Sequence, residues 1–208
     1  MRTLTFYFDF VSPYSYLAFK RLHELPADVE MRLEPVLFAG LLGHFGNKGP
    51  AEIPEKRRWT YRWCTWWAKE LGIPFRLPAS HPFNPLHHLR LALAAGPSRE
   101  NVGRIFDAIW ISGAEATDAA AFATLARSLG VDEPRLASAQ IKDALRRNTE
   151  AAVARGVFGV PTWEADGELF WGADALGFVN AFLADRVALH NEEMRRADSL
   201  PVGAARKT

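Results

Sequence analysis

A serine at a predicted strand-to-helix junction is the strongest chemical signal in the sequence. Ser12 follows the alternating run TLTFYFDF, and Pro13 behind it suits the first turn of a helix. At such a junction, unpaired backbone N–H groups and the positive end of the helix dipole favour an anion such as a thiolate. Serine is also a common N-cap, and the capping and chemical roles are compatible. The position therefore predicts a site that stabilises an anion.

Two segments late in the chain could also contact a ligand. Val160-Pro161 precedes a predicted strand. A cis bond there would leave the Val160 backbone free to pair with an extended peptide, whereas the commoner trans proline would simply start the strand. Asp174 follows the sequence WGA at the start of the predicted last helix, where its carboxylate could cap backbone N–H groups or face a ligand ammonium group. Both alternatives stay open at each position.

Alternating strands and helices must position these residues. Period-two alternation predicts strands at 3–10 and 29–38, with a helix from Tyr14 between them, and the right-handed crossover makes the two strands parallel. Asp166-Gly167 predicts a hairpin turn ahead of the last helix. Between these parts, the glycine-rich segment 40–50 is predicted to be a loop. The helices that follow are predicted at 54–72, 85–95, 99–112, 118–129 and 134–155.

This order of elements predicts an α/β protein with a thioredoxin-like fold and a helical insertion domain. The expected thioredoxin-like domain comprises residues 1–45 and 134–190, and the insertion domain comprises residues 46–133. Residues 191–208 are polar and are expected to be a frayed tail.

Composition excludes several classes of protein. The 208 residues contain 25 Lys and Arg against 24 Asp and Glu, so the chain lacks the basic footprint of a nucleic-acid-binding protein, although EKRRWTYRW at 55–63 is locally basic. No apolar stretch approaches the length of a membrane span, and the start MRTLTFYFDF does not resemble a signal peptide. The single cysteine, Cys64, fits a reducing compartment. A cytoplasmic protein with no membrane or nucleic-acid partner is expected.

Four motifs together resemble one enzyme family. The sequences FYFDFVSPYSYLA, GNKGP, FGVPT and WGADAL occur in this order. They resemble 2-hydroxychromene-2-carboxylate isomerase and its relatives, the kappa-class glutathione transferases, over roughly residues 4–185. The resemblance implies a thioredoxin-like fold, glutathione as the cofactor and a small aromatic substrate, and a homodimer is expected. The sequence YLA after the Ser-Pro turn is more similar to the isomerases than to the SWLG form of the transferases.

The resemblance also assigns glutathione-binding residues. It implies that Ser12 hydrogen-bonds the glutathione sulfur and that the Val160 backbone pairs with the cysteinyl unit before a cis Pro161. Asn47 is implied to lie in a loop that faces glutathione. The γ-glutamyl end is implied to contact Trp171, Gly172, Ala173 and Asp174.

The implied contacts with the organic substrate match the family at one position and depart from it at another. Asn84, in HPFNP, falls in a loop that faces the substrate in this family. A lysine usually found before the GN pair is missing from LLGHFGN, so His44 and Lys48 are the candidates to bind the substrate carboxylate. The resemblance therefore predicts glutathione-dependent cis-trans isomerisation of 2-hydroxychromene-2-carboxylate to trans-o-hydroxybenzylidenepyruvate. The alternatives are a kappa-type transferase and a non-enzymatic glutathione-binding module.

Other conspicuous residues have ordinary explanations. Disulfide exchange is disfavoured because SPYS replaces the CxxC pair. Cys64 is expected to be a buried packing residue. His87 and His88 lack the companions of a metal site, so no metal is expected. The tryptophans of the EKRRWTYRWCTWW segment lie at helical spacings and are expected to form a wall of the insertion or a dimer contact. Core packing is favoured over the alternative, an edge that lines an aromatic substrate pocket.

Overall fold

The computed structural model describes residues 2–204, apart from the side chains of Ala188 and His190. The strands of this part form one sheet in the order β2-β1-β3-β4. Strand β1 pairs parallel with β2 and antiparallel with β3, and β3 and β4 form a hairpin. The parallel pair and the hairpin predicted from the sequence are therefore confirmed. The strands are β1 Arg2–Phe8, β2 Val29–Pro35, β3 Thr162–Ala165 and β4 Glu168–Trp171.

Helices lie between the strands and after the last one, which gives the expected α/β class with a helical insertion. None of the helices in residues 2–204 is long and apolar enough to cross a bilayer. The helices are α1 Pro13–Lys20, α2 Phe38–Phe45, α3 Pro54–Glu70, α4 Leu86–Ala95, α5 Arg99–Trp110, α6 Ala119–Ser128, α7 Glu133–Ala137, α8 Ala139–Ala154, α9 Leu176–Ala184 and α10 Glu192–Asp198.

An aromatic cluster joins the end of β1 to the helices. Phe8 and Phe10 are fully buried, and their rings lie 5.6 Å and 4.6 Å from the ring of Phe106 on α5. Phe106 also contacts Phe19 of α1 at 5.2 Å. Burying a phenylalanine contributes about 1.5–3 kcal/mol, so this contact is a substantial part of the core. It fixes α5 against the segment that carries Ser12.

The first half of the predicted loop 40–50 is helical, so that prediction was wrong. Helix α2 runs from Phe38 to Phe45 and ends at Gly46, whose φ of 65° terminates it in the left-handed conformation. Its internal glycines lower helix propensity, but packing overrides this cost. A Cβ at Gly40 would lie 3.0 Å from the Thr149 methyl group, so close packing against α8 favours glycine there.

Three other boundaries differ from the predictions. The helix predicted at 134–155 is broken by Ser138, whose hydroxyl oxygen accepts the Ile141 N–H and begins α8. The last predicted helix begins at Leu176 rather than Asp174. The tail contains α10, which Asn191 caps, while residues 205–208 lie outside the described part. Each difference is at a local cap, which periodicity does not resolve.

The prediction of core tryptophans on α3 was wrong for two of the four, since Trp63 and Trp67 are partly buried against the core. Trp59 is 64% exposed and Trp66 is 50% exposed. The buried face of α3 is formed instead by Thr60, Cys64 and Ala68. Small side chains at this spacing allow α3 to pack closely on its neighbours, with Trp63 and Trp67 packed at the edge of the core and Trp59 and Trp66 turned outward.

Candidate active site

Ser12 lies at the N-terminus of α1 with its hydroxyl proton uncommitted. Its backbone is extended (φ −90°, ψ 114°), and its Oγ accepts the N–H of Ser15 at 3.1 Å, so the capping role is real. Among the described residues, the Ser12 hydroxyl donates to no acceptor. Ser12 is only 6% exposed, so little of its surface is accessible to solvent. The site therefore combines a free O–H donor with the positive end of a helix dipole.

Asp9 lies beneath the turn that presents Ser12. Its side chain is fully buried, and its two oxygens accept the N–H groups of Val11 at 3.1 Å and Phe38 at 2.9 Å. The carboxylate thus joins the turn to the start of α2. Burial raises the pKa of Asp9 to about 7, although the hydrogen bonds from backbone amides oppose this shift. The sequence analysis missed this residue.

The Val160-Pro161 bond is cis, as predicted. Thr162 pairs with Tyr7 near the end of β1, so the Val160-Pro161 segment enters the sheet at the end where β1 leads to the Ser12 turn. Neither the N–H nor the C=O of Val160 has a hydrogen-bond partner within residues 2–204. These groups can pair with the backbone of an extended ligand.

The segment after β4 is fixed to both the hairpin and α1. The N–H of Gly172 donates to the Pro161 carbonyl at 2.9 Å, and Arg21, at the end of α1, donates to the Ala173 carbonyl at 3.1 Å. Gly172 has a φ of 111°, and a Cβ there would lie 2.5 Å from Asp174 Oδ1. A glycine is therefore required at this position. The structure brings this segment and Val160-Pro161 together.

Asp174 does not cap α9, so the capping alternative was wrong. The helix begins after Ala175 without a side-chain cap. Asp174 is exposed, and its carboxylate has no hydrogen-bond or ion-pair partner in the described part of the chain. The pKa of Tyr14, in the first turn of α1, is raised mainly by burial, and the charge of Asp174 contributes to the same shift. Asp174 therefore lies near the first turn of α1. Trp171 is 58% exposed, and its indole covers Gly159.

The four predicted substrate and loop residues are exposed. His44 lies in the last turn of α2, not in a loop, and lines a groove of about 440 Å³ together with Leu86. Asn84 comes two residues earlier, and its side-chain oxygen accepts the Leu86 N–H at 3.1 Å. Asn47 and Lys48 follow α2 with their side chains free of partners among the described residues. The structure thus brings His44 near the Asn84 loop, and the substrate roles of all four residues stay proposals.

The remaining candidates are structural. Cys64 is buried, as predicted, and burial raises the pKa of its thiol to about 12. His88 is also buried, and burial lowers its pKa to about 4. No group of three metal-ligating side chains occurs in the part of the chain that the structure describes. Cys64 and His88 are therefore interior residues of the described part of the chain.

The sheet, the cis proline and the helix that starts at Ser12 define a thioredoxin-like protein in which serine occupies the turn between the first strand and the first helix. The sequence matches the DSBA-like thioredoxin domain family over residues 3–184. It belongs to this family, in the group that contains the 2-hydroxychromene-2-carboxylate isomerases and the kappa-class glutathione transferases.

Individual relatives are similar over most of their length. Glutathione S-transferase kappa 2 of Caenorhabditis elegans is 30% identical over 208 residues, which covers 88% of this chain and 92% of the relative. The 2-hydroxychromene-2-carboxylate isomerase of Pseudomonas putida is 32% identical over 180 residues and covers 82% and 89%. A solved structure of a 2-hydroxychromene-2-carboxylate isomerase has a TM-score of 0.77 at 28% identity and covers 96% of this chain and 100% of its own.

Proposed function

We propose that this protein is a glutathione-dependent cis-trans isomerase of an aromatic ring-fission product, 2-hydroxychromene-2-carboxylate being the favoured substrate. The observation that supports this most directly is the uncommitted hydroxyl proton of Ser12 at the start of α1. Relatives named as isomerases and as kappa transferases are similarly close, so the isomerase outcome is the finer part of the proposal.

The polar groups around Ser12 fit glutathione. Its cysteinyl backbone matches the free N–H and C=O of Val160, and its ammonium group matches the unpartnered carboxylate of Asp174. Its sulfur would then lie at the Ser12 hydroxyl. The residues therefore offer partners of the correct type for the γ-glutamyl and cysteinyl units of the tripeptide.

The protein's contribution to the reaction is to favour a thiolate and to orient it. A thiol with a pKa of about 8.5 is only partly ionised near neutrality. The Ser12 hydroxyl and the N–H groups of α1 stabilise the charged form, which lowers this pKa. Bound glutathione would supply a thiolate that adds reversibly to the conjugated double bond of the substrate, so that the bond can rotate before the sulfur leaves. Lys48 or His44 would bind the substrate carboxylate.

Measuring free thiol during turnover tests the proposal. With 2-hydroxychromene-2-carboxylate as substrate, we expect product to accumulate while the concentration of free glutathione thiol stays constant, because the sulfur is returned in each cycle. A kappa-type transferase would consume one thiol for each product. Turnover without glutathione would contradict the mechanism, and binding of glutathione without turnover of any conjugated electrophile would indicate a binding module.

Replacing Asp174 with asparagine should weaken glutathione binding. A hydrogen bond to a charged group contributes about 1.5–3 kcal/mol, so KM for glutathione should rise about 10- to 100-fold. The value of kcat should change little, because the γ-glutamyl end is remote from the reacting sulfur. Glu168→Gln is the matched control, since it neutralises another exposed carboxylate, at the hairpin end of β4, and should leave KM unchanged. Equal KM values for all three proteins would remove Asp174 from the binding site.

A further inference from the structure

His81, in the segment between α3 and α4, contacts the turn that carries Ser12. Its Nε2 lies 2.7 Å from the Val11 carbonyl oxygen, and its Nδ1 lies 2.7 Å from the Tyr61 hydroxyl. A carbonyl oxygen can only accept a hydrogen bond, so Nε2 must carry a proton. The Val11 contact therefore selects the Nε2-protonated form of His81.

Tyr61 fixes the other side of the imidazole ring. Burial lowers the pKa of His81, so the ring is neutral and Nδ1 presents a lone pair. Burial also raises the pKa of Tyr61, which keeps the phenol protonated and able to donate to Nδ1. The same hydroxyl lies 2.9 Å from the His81 carbonyl oxygen. Its single proton is shared between two acceptors, Nδ1 and this carbonyl oxygen, so Tyr61 of α3 holds His81 through one shared hydrogen bond.

With the His81 contact, both of the peptide planes before Ser12 are held by hydrogen bonds at their C=O and their N–H; we call this arrangement the clamp. In the Val11–Ser12 peptide, His81 holds the carbonyl while the N–H of Ser12 donates to the Asp9 carbonyl at 3.1 Å. In the preceding peptide, Trp110 Nε1 donates to the Phe10 carbonyl at 3.0 Å, and the N–H of Val11 donates to the Asp9 carboxylate. Both ends of each plane are therefore held.

We propose that His81, oriented by Tyr61, is a positioning residue that fixes the Val11–Ser12 peptide and thereby aims the Ser12 hydroxyl at the glutathione sulfur. This proposal rests on the proposed function for its chemical consequence, but the geometry can be tested without glutathione. The contact of Tyr61 with His81 also connects α3 to the Ser12 turn. A helix of the insertion thus orients the residue proposed to stabilise the thiolate.

Amide hydrogen exchange in the ligand-free protein tests the clamp. His81→Gln keeps a side-chain N–H donor, and His81→Leu removes it. We expect the Ser12 amide to exchange about three- to tenfold faster in the leucine variant, as one lost hydrogen bond implies, and to recover in the glutamine variant. Phe83→Leu is the packing control, because Phe83 is buried in the same segment beside the His81 ring. Unchanged exchange in folded His81→Leu would overturn the proposal.

Titration of bound glutathione tests the chemical consequence. In His81→Leu, the fraction of thiolate near neutral pH should fall about three- to tenfold relative to the wild type, with recovery in His81→Gln. If the wild-type protein lowers the thiol pKa but His81→Leu does so equally, His81 does not position Ser12. If the wild type itself does not lower the thiol pKa, the proposed function fails, and hydrogen exchange still decides the clamp.

The protonated nitrogen gives a test that does not depend on the leucine variant folding. ¹⁵N NMR of histidine-labelled wild-type protein should show neutral His81 with its proton on Nε2. In Tyr61→Phe, the preference for the Nε2-protonated tautomer over the Nδ1-protonated tautomer should be smaller, because Nδ1 loses its hydrogen-bond donor. Protonation of wild-type His81 on Nδ1 would overturn the proposal.

Discussion

Replacing Ser12 with alanine should raise the pKa of bound glutathione thiol by about one to two units. The Ser12 oxygen accepts the Ser15 N–H and keeps its own proton for the sulfur. A hydrogen bond to a charged group contributes about 1.5–3 kcal/mol, and one pKa unit corresponds to about 1.4 kcal/mol. Activity should fall about 10- to 100-fold near neutral pH and recover in part at alkaline pH, where the thiol ionises without assistance.

The ultraviolet absorbance of thiolate, followed against pH with saturating glutathione, measures this shift. Loss of the cap in Ser12→Ala should also destabilise the fold by about 1 kcal/mol. Ser98→Ala is the matched control, because Ser98 Oγ caps α5 by accepting the Asn101 N–H at the same distance of 3.1 Å. Ser98→Ala should lose similar stability and leave the thiol titration unchanged. Identical titrations for wild type and Ser12→Ala would reduce Ser12 to a structural cap.

The sequence predicted the strands well because their signals are local. Leu4, Phe6 and Phe8 alternate in the sequence and are all fully buried on the core face of β1. Asp166 and Gly167 adopt positive φ at the hairpin, as that dipeptide favours. The prediction failed for α2, where packing of Gly40 against Thr149 outweighs the low helix propensity of glycine. Local preference and tertiary contact agree in the first two cases and conflict in the third.

The candidate site was only partly accessible from the sequence. Ser12, Val160 and Asp174 lie in recognisable motifs. The groups that hold the Ser12 turn do not, because His81 is 70 residues from Val11 in the sequence and Trp110 is 100 residues from Phe10. Such pairs depend on tertiary packing that periodicity does not specify.

The sequence around Asp9 contains a signal that could have predicted its supporting role. Asp9 is a carboxylate within the apolar run FYFDF, where a buried charge requires hydrogen-bond donors. The donors are supplied by Val11 and by Phe38 at the start of α2. A buried polar residue next to a predicted active turn is therefore a useful indicator of supporting structure.

Replacing Asp9 with asparagine should change how the free energy of unfolding depends on pH. The pKa of Asp9 is raised to about 7 in the folded protein, whereas an unfolded aspartate titrates near a pKa of about 3.9. Between these values the unfolded chain is ionised and the folded protein retains the proton. Raising the pH therefore favours unfolding by roughly 1.4 kcal/mol per pH unit, until both states are ionised above about pH 7.

The asparagine side chain cannot ionise, so the Asp9→Asn variant should lack this slope. At about pH 4 it should be less stable than wild type by about 1–3 kcal/mol, because its side-chain NH₂ cannot accept the second backbone N–H. The difference should shrink, and can reverse, as the pH rises to about 7. Denaturant unfolding at several pH values measures it, with Asp118→Asn, an exposed cap of α6, as the control. A wild-type-minus-variant difference that stays constant across this range would show that Asp9 does not titrate there, and the burial of its carboxylate would then be fully offset by the amides of the turn and of α2.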